Sequence, residues 1–414
     1  MHDTELYRHL LGLQSPWSVA RVEVRVKEQT INVWAEHSAD TRWPCPDCKT
    51  ELALYDHSEE RSWRHLDSCQ FQTVLHARIP RVQCPKHGVR QAGVPWAEPR
   101  SRFTALFERF AIDVLRETSV TGATKLLRIS WDEAWALMQR AVRRGQARKG
   151  RRVIARIGVD EKSVAKGQRY MTLVNDLDRA TVEFIADERT QDSLDGYFKA
   201  LTPRQLAGIE AVAMDMWEPF AQSVRANVPD AGSKIVFDKF HVVQHMTNAV
   251  DLVRRSENRT LREAGDESLV GSKYLWLYGS ENLPEKHRER FDSLHALHLK
   301  TGRAWALKES LRTLWDNRSL IWAQTHWASW DSWATRSRLK PVVAVAGMIR
   351  RHLTNVMTYF RHRITNAVAE GLNSKIQGIK KRAFGFRNKE NFKTAIYFHC
   401  GGLNLYPATH AKAR

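Results

Sequence analysis

The spacing of apolar residues along the chain changes twice, and each change predicts a different kind of structure. Apolar and polar residues alternate over residues 19–34, which predicts a half-buried β-hairpin after a short N-terminal helix. From Ser101 the apolar residues recur at helical spacing, and helices are predicted at 120–127 and 131–144 with a turn between them. From Val153 short apolar runs return, and they predict three strands, a helix, a strand, a helix and a fifth strand.

That order of elements, with the first three strands antiparallel, is the order of a ribonuclease H-like α/β core. The fifth strand is expected to carry Asp238 and His241, and the next candidate core element is the helix around Glu370. The segment between the fifth strand and the Glu370 helix is much longer than a usual connection between elements. It therefore predicts an all-helical insertion over residues 258–355. Seven of the fifteen tryptophans lie in this insertion and are expected to form its core.

The charge of the chain indicates its kind of partner. With 65 Lys and Arg against 46 Asp and Glu, the net charge is +19, which favours a polyanion such as nucleic acid. A length of 414 residues suggests two to four domains. No apolar run has the roughly 18 residues that a membrane span needs. The first residues lack the pattern of a secretory signal, so a cytoplasmic location is expected.

Two pairs of potential metal ligands lie in the N-terminal region, with Cys-x-x-Cys and Cys-x-x-His spacing. The four residues are Cys45, Cys48, Cys84 and His87. Four such ligands complete a tetrahedral zinc site with no open position, so a structural zinc ion is predicted. Cys69 and His65 are alternatives for one ligand. The alternating run before Cys84 is expected to form the ribbon strands, and Cys400 is expected to be a buried small residue.

The predicted helix pair has the form of a helix-turn-helix. Ser130 is a candidate N-cap of the second helix, with Glu133 three residues later as in a capping box. In such motifs the second helix enters the major groove of DNA, and nearby Lys and Arg neutralise phosphates. A packed helix pair with no DNA role has the same pattern, but the basic residues that follow favour DNA binding. The candidate DNA contacts are Arg128, Ser130, Trp131, Arg140, Arg143 and Arg144.

Acidic residues lie where two of the core strands are predicted to end. Asp160 and Asp215 each follow an apolar run, and the carboxyl ends of neighbouring strands meet at one edge of a sheet. Two adjacent carboxylates repel each other unless cations lie between them, so convergence predicts two Mg²⁺ or Mn²⁺ ions. Glu370 is the candidate third ligand. Asp238 either replaces Asp215 or caps the following helix, and His241 contacts phosphate, orients a carboxylate or is simply packed.

Together these motifs resemble the ISL-three-type transposases of bacterial insertion sequences, which belong to the DDE class. The resemblance rests on CPDC with CPKHG, SVTGATKLLRISW, IGVDEKS, AMDMWEPF, IVFDKFHVV and ITNAVAEGLNSKIQGIKKRAFGFRN. These stretches span about residues 40–400. The sequence departs from the family pattern at Val159, Lys239 and Ala367, where members often carry Ile, Arg and Gly. The change at Ala367 bears on the start of the Glu370 helix rather than on the chemistry.

The resemblance implies a DDE triad of Asp160, Asp215 and Glu370, with Asp238 and His241 as a supporting or alternative pair. It implies Mg²⁺- or Mn²⁺-dependent cleavage and strand transfer at the terminal inverted repeats of an insertion sequence. A dimer or larger assembly on double-stranded DNA is expected, in the bacterial cytoplasm at the nucleoid. The residues expected to hold phosphates beside the acids are Lys375, Lys380, Lys381 and Arg382.

Two other functions are compatible with the same motifs. One is a catalytically inactive, domesticated DNA-binding repressor, against which the presence of all three acids argues. The other is a ribonuclease H-like nuclease without strand transfer, which has less use for a two-part recognition region.

The predicted fold is multidomain α+β, with a zinc ribbon, a helix-turn-helix and a ribonuclease H-like α/β catalytic core interrupted by an all-helical insertion. The expected domains are N-terminal strands with the zinc ribbon at 1–98, the helix-turn-helix and a basic linker at 99–150, the first part of the core at 151–257, the insertion at 258–355, and the C-terminal core helices at 356–414.

Overall fold

The structure is a computed structural model that describes residues 2–150, 152–165 and 169–408. The chain divides into two compact units. The first consists of Met1–Gly150 and Ile379–Arg414, and the second of Arg151–Gly378. The predicted domain limits at residues 1, 151 and 414 lie outside the described residues.

The N-terminal region of the first unit is built on a sheet. Its elements are α1 (Asp3–Leu10), β1 (Trp17–Arg25), β2 (Thr30–His37), β3 (Trp43–Pro44), β4 (Glu51–Leu52), β5 (Asp56–Arg64), β6 (Gln72–Cys84) and β7 (Gly88–Gln91). A five-stranded sheet has the order β1-β2-β6-β5, with β7 also paired to β6, and β3 and β4 form a separate small sheet. The antiparallel hairpin of β1 and β2 is confirmed.

Strand β6 corrects one expectation. It pairs in parallel with β2 and antiparallel with β5, so the run before Cys84 belongs to the large sheet instead of forming a separate ribbon. Most of its alternate residues are buried, because this face packs on a core that contains Trp17, Trp63 and Trp96. The alternation of apolar and polar residues in β6 therefore reflects the burial of one face of this strand against the core.

Three helices follow the sheet: α2 (Ala105–Glu117), α3 (Val120–Leu127) and α4 (Trp131–Arg148). The helix predicted at 120–127 is confirmed, and α4 continues to Arg148 instead of ending near residue 144. The predicted capping box is confirmed, because Glu133 N–H donates to the Ser130 hydroxyl (3.2 Å) and Ser130 N–H donates to the Glu133 carboxylate (2.9 Å). Helix α4 therefore begins at a defined position.

The second unit contains a five-stranded mixed sheet. Its elements are β8 (Arg156–Ala165), β9 (Arg169–Asp176), β10 (Thr181–Asp187), α5 (Gln191–Lys199), α6 (Pro203–Ala207), β11 (Ala211–Met214), α7 (Glu218–Asn227), β12 (Ile235–Phe237) and α8 (Lys239–Glu263). The strand order is β10-β9-β8-β11-β12. The first three strands in sequence are antiparallel, and β11 pairs in parallel with both β8 and β12. The predicted order of strands and helices is confirmed.

Two predicted strand ends in this sheet are wrong. Strand β8 continues through Asp160, which pairs with Leu173 of β9, so Asp160 lies within the strand and not at its end. Strand β12 ends at Phe237, so Asp238 and His241 are not strand residues. Asp238 is the N-cap residue of α8 and His241 lies in the first turn of that helix.

Every regular element between residues 239 and 382, a fully described stretch, is helical. After α8 come α9 (Lys273–Leu277), α10 (Arg288–His295), α11 (Lys300–Arg312), α12 (Leu320–Arg336), α13 (Lys340–Arg351), α14 (Leu353–Met357), α15 (Tyr359–His362) and α16 (Ala367–Arg382). One continuous apolar core joins helices α8 to α15 to the sheet and includes Trp276 and Trp330. Trp322 and Trp333 are exposed.

The last helix, α17 (Lys389–Cys400), belongs to the first unit, and Cys400 is buried as expected. Among the described residues, no helix combines the length and apolarity that crossing a bilayer requires.

Candidate active site

Three aspartates form a row on neighbouring strands of the second sheet, with Asp160 within β8, Asp215 directly after β11 and Asp238 directly after β12. In the parallel pairing, Gly158 of β8 lies opposite Ala213 of β11, and Met214 of β11 lies opposite Phe237 of β12. The same register continued to the next residues puts Asp215 beside Asp160 on one side and Asp238 on the other. The N–H of Asp238 donates to the Met214 carbonyl (2.8 Å), which holds the two strand ends together. Residues in one row project to the same face of a sheet, so this face is acidic.

Asp160 lies at one end of this row of acids, on β8. Its Oδ1 accepts from Glu161 N–H (2.7 Å), and its Oδ2 accepts from the Asn373 side-chain amide (2.6 Å). Burial raises the pKa of Asp160 to about 6, and the negative charges of Asp215 and Glu161 contribute to that rise. A half-buried carboxylate with acidic neighbours is a group that a cation would stabilise.

Asp215 follows directly after β11. Its Oδ1 accepts from Trp217 N–H (3.1 Å). Burial raises the pKa of Asp215, the charge of Glu161 raises it further, and His241 opposes both effects. The structure thus brings Asp160 and Asp215 together, as the sequence predicted.

Asp238 and His241 form a pair. Nδ1 of His241 lies 3.1 Å from Oδ2 of Asp238, whose side chain is fully buried. The other oxygen of Asp238 accepts from Asn366 N–H (3.4 Å). The hydrogen bond to Asp238 raises the pKa of His241 to about 9, with further contributions from Asp215 and Asp160. His241 is therefore a cation at neutral pH.

Glu370 lies in the first turn of α16 and is exposed. Burial of part of the group raises its pKa, and the nearby charges are Asp238, which raises it, and His241, which lowers it. Among the described residues, the only group of three or more metal ligands within 4.8 Å of one another lies elsewhere, in the N-terminal region. At least one pair among Asp160, Asp215 and Glu370 is therefore separated by more than 4.8 Å.

Helix α16 contacts the acidic row at other points that sequence reasoning missed. Asn373 lies three residues after Glu370 and contacts Asp160, while Nζ of Lys162 donates to the Asn373 carbonyl (3.2 Å). At the helix start, a Cβ on Gly158 would come within 2.9 Å of Oδ1 of Asn366, so glycine allows α16 to approach β8. Asn373 lies three residues after Glu370, so both project from one face of the helix, and this spacing could have predicted that Asn373 lies near the acids.

Arg189 connects the strands that carry Asp160 and Asp215. Its guanidinium lies 4.3 Å from the Tyr170 ring centroid and 4.6 Å from that of Trp217, and it forms an ion pair with Glu161 (3.0 Å). The indole N–H of Trp217 donates to the Arg189 carbonyl (3.1 Å). Because Trp217 also binds Asp215 and Glu161 follows Asp160, the two acids are linked through Arg189.

The four predicted zinc ligands converge in the first unit. Sγ of Cys48 lies 3.6 Å from Sγ of Cys84, and Nδ1 of His87 lies 3.4 Å from Cys84 and 3.8 Å from Cys45. Such separations fit the edges of a tetrahedron with Zn–S bonds of about 2.3 Å. Hydrogen bonds from Thr50 lower the pKa of Cys48 to about 6, which favours the thiolate that zinc requires. The donor set supports a structural zinc ion.

The alternative ligands do not join this group. His65 is buried, and its Nδ1 hydrogen bonds to the Thr104 hydroxyl (2.8 Å). Cys69 is exposed and lies outside the four-residue group. The predictions that either residue could substitute for one ligand are wrong.

The predicted DNA contacts differ in how available they are. Arg144 is buried between Glu98 (2.6 Å) and Glu108 (2.8 Å), so it stabilises the first unit and has almost no exposed surface for a phosphate. Arg140 also pairs with Glu108 (2.8 Å). The side chain of Arg128 forms an ion pair with Asp67. The exposed residues of the predicted set are Arg128, Ser130, Trp131, Arg143, Lys375, Lys381 and Arg382, and Lys380 is half-buried.

Comparison with known proteins gives three matches to family models. The model of the DDE type described as Transposase, of the ISL3 group, matches residues 157–396, which include Asp160, Asp215 and Glu370. The zinc finger of the transposases of IS204, IS1001, IS1096 and IS1165 matches residues 41–87, which hold the four zinc ligands. The helix-turn-helix domain of transposase family ISL3 matches residues 94–142.

Individual relatives are similar along nearly the whole chain. The transposase for insertion sequence element IS1557 of Mycobacterium tuberculosis (strain ATCC 25618 / H37Rv) is 28% identical over 420 residues, covering 94% of this chain and 94% of its own length. The transposase for insertion sequence element IS1001 of Bordetella parapertussis is 26% identical over 397 residues, covering 95% of this chain and 97% of its own length.

Proposed function

The chain belongs to the ISL3 family of insertion-sequence transposases, and from this premise we propose that Asp160, Asp215 and Glu370 are the acids with which it cuts and joins DNA. The substrate would be the terminal inverted repeats of its own insertion sequence. The observation that carries the proposal is the row of acids across β8, β11 and β12, approached by the helix that bears Glu370.

A ribonuclease H-like core is the fold that this proposal requires. The strand order β10-β9-β8-β11-β12, with three antiparallel strands followed by two parallel ones, supports it. Residues 258–355, from the end of α8 into α14, would then be the predicted all-helical insertion, which leads towards the helix with Glu370.

The donor set fits Mg²⁺ or Mn²⁺, because all three proposed ligands are carboxylates and hard divalent cations prefer oxygen. Asp160 and Asp215 are both half-buried, and the pKa of each is raised by that burial, as expected for acids that lack a neutralising partner. Bound in pairs, such ions activate an attacking oxygen and stabilise a leaving oxygen in phosphodiester displacement.

Asp215 is a better second ligand than Asp238. Both oxygens of Asp238 already have partners, one on His241 and one on Asn366 N–H. In the described part of the chain, Asp215 accepts one hydrogen bond, from Trp217 N–H to Oδ1, and its Oδ2 accepts none. We therefore assign Asp238 to holding His241 in its protonated form beside the acids.

The residues around the acids would act on the DNA backbone. Water attacks the phosphorus at the end of the element and breaks the P–O3′ bond, and the freed 3′-hydroxyl then attacks a phosphodiester of target DNA in the same way. Protonated His241 would face the non-bridging phosphate oxygens, and Asn373 would fix the orientation of Asp160. Exposed Lys375 lies two residues after Asn373 on α16 and would hold a neighbouring phosphate.

Recognition of the element ends would use the first unit. The zinc ribbon, the start of α4 and the exposed Arg143, Lys381 and Arg382 provide a structured, basic surface for duplex DNA. Because two ends must be joined, we expect a dimer or larger assembly on DNA. This assembly would act in the cytoplasm, at the nucleoid.

Strand transfer with purified full-length chain, Mg²⁺ and a duplex that carries one inverted repeat tests the proposal. Joined product is expected from the unaltered chain and is lost in Asp160→Asn, Asp215→Asn and Glu370→Gln, while each variant still binds the duplex. Asp178→Asn, an exposed acid of the same sheet region, is the matched control. Joining that persists in any of the three variants would remove that residue from the triad, and no joining by the unaltered chain would refute the function.

A further inference from the structure

Phe384 has the most exposed large apolar side chain among the described residues, with a relative exposure of 101%. It directly follows the last turn of α16, where Gly385 N–H donates to the Lys380 carbonyl (2.9 Å) and Phe384 N–H to that of Lys381 (3.0 Å). This pattern is the Schellman turn, in which the position of Phe384 usually carries glycine. Phe384 has a φ of 53°, which is unfavourable for a residue with a side chain. The chain therefore tolerates backbone strain to present a phenyl ring to solvent.

The turn that carries Phe384 is fixed on its other side by Phe386. The ring of Phe386 stacks on Phe392 at 4.8 Å and meets Trp135 of α4 edge-on at 6.2 Å. Phe392 is fully buried and Trp135 is nearly so. One aromatic residue of the sequence Phe-Gly-Phe thus anchors the turn in the core, and the other projects from it. The exposure of Phe384 is consequently fixed by the packing of Phe386.

Phe384 lines a cleft of about 980 Å³ within the first unit. The lining also includes Lys125 of α3 and Trp131 at the start of α4, which is 51% exposed. Two arginines flank Phe384 in the lining, Arg382 and Arg387, and both are exposed. None of the described side chains that line the cleft is a carboxylate. Aromatic rings among unopposed cations fit stacked bases and phosphates.

We propose that Phe384 inserts between bases of the element-end duplex, while Arg382 and Arg387 bind the phosphates on either side of the opened step. This inference rests on the proposed function and adds a residue that deforms the DNA. Apolar side chains that enter a base step unstack it and bend the duplex, and a ring held in a fixed turn loses little entropy on insertion. A second copy of this chain is the poorer occupant, because its charge of +19 would meet the same cations.

Fluorescence of 2-aminopurine tests the insertion directly. The full-length chain is added to the inverted repeat that flanks its own coding sequence, with 2-aminopurine placed at one position at a time. Fluorescence should rise at one base step with the unaltered chain. Phe384→Ala should abolish the rise and weaken binding about fivefold to tenfold, and Phe384→Trp should retain the rise. Phe384→Gly suits the backbone of this turn, so its loss of the rise separates the ring from any effect on folding.

Val26→Ala is the matched control, since Val26 is 70% exposed in the turn between β1 and β2. It should change neither the fluorescence nor the affinity. A rise that persists in Phe384→Ala, or no rise when the unaltered chain binds the duplex, overturns the proposal. So does a DNA-free dimer that Phe384→Ala dissociates in sedimentation, because Phe384 then contacts a second copy. Fluorescence is measured on binding without Mg²⁺, so failure of strand transfer leaves this result interpretable.

Discussion

The side-chain amide of Asn373 donates a hydrogen bond of 2.6 Å to Oδ2 of Asp160, although the two residues lie 213 positions apart in the sequence. This contact ties the helix that carries Glu370 to β8, the strand that carries Asp160. It also occupies one lone pair of Oδ2, while Oδ1 of Asp160 accepts from Glu161 N–H. The position of Asp160 thus depends on α16 as well as on its own sheet.

Asn373→Ala should lower the rate of strand transfer about tenfold to a hundredfold, the range seen when a residue that orients a metal ligand is removed. Affinity for the inverted repeat should be unchanged, because Asn373 acts on Asp160. Single-turnover rates across a Mg²⁺ titration measure the effect, and raised Mg²⁺ should recover part of the loss. Ser374→Ala, at the exposed next position, is the control. Equal rates for the two variants would contradict the role of Asn373.

Arg189→Ala should reduce both activity and stability, since it removes the ion pair with Glu161, the neighbour of Asp160, and two ring contacts. A loss of about 1 kcal/mol in the free energy of unfolding is expected from the stacking on Tyr170 and Trp217. Arg189→Lys keeps the charge but loses the planar group, so it should recover little. Urea denaturation measures these changes. Arg156→Ala, which breaks an exposed ion pair with Asp178, should cost less than about 0.5 kcal/mol.

The stabilising effect of Mg²⁺ should depend on pH. Because the pKa of Asp160 is raised to about 6 from 3.8, the folded chain binds more protons than the unfolded chain between these values. The metal-free chain therefore loses this contribution to stability as the pH rises through that window. Mg²⁺ competes with the proton, so it should raise Tm more at about pH 7.5 than at about pH 5. In Asp160→Asn the difference should largely disappear, and a Mg²⁺ effect independent of pH would count against the site.

Cys45→Ser should lower the zinc content of the purified chain and weaken binding to the inverted repeat. The two-stranded sheet of β3 and β4 lies beside the ligands and has little else to stabilise it. Zinc is measured by atomic absorption and binding by fluorescence anisotropy. Cys69→Ser removes an exposed thiol outside the site and should behave as the unaltered chain does. Full zinc content in Cys45→Ser would exclude Cys45 as a ligand.

Replacing the adjacent residues Arg143 and Arg144 of α4 by alanine should have opposite effects, one on DNA binding and the other on stability. Arg144→Ala leaves Glu108 buried with one cation fewer and should cost about 3 kcal/mol of stability. Exposed Arg143→Ala should change stability by less than about 0.5 kcal/mol, but it should lower the salt dependence of DNA binding by about one ion. Thermal denaturation and binding at several salt concentrations separate the two effects. A large salt effect from Arg144 alone would reverse this assignment.

The sequence was sufficient where the structure is local. Alternation predicted the β1–β2 hairpin, the Ser130 capping box predicted the start of α4, and ligand spacing predicted the zinc group. It was insufficient where tertiary contacts decide. Nothing in the spacing of Arg144 shows that Glu98 and Glu108 lie on either side of it. Pairing with β9 extends β8 past Asp160, and β12 ends early because Asp238 turns into α8.

The register of β11 has a consequence for how this chain tolerates insertions and deletions. Strand β11 has four residues and β12 has three, and side chains alternate between faces along each. One residue added within β11 would turn Asp215 to the opposite face of the sheet while leaving the chain free to fold. A segment added among the exposed residues 264–267, between α8 and α9, would change no register. Insertions and deletions among active relatives should therefore be found in the helical segment after β12. They should be absent from the four residues of β11 and the three residues of β12.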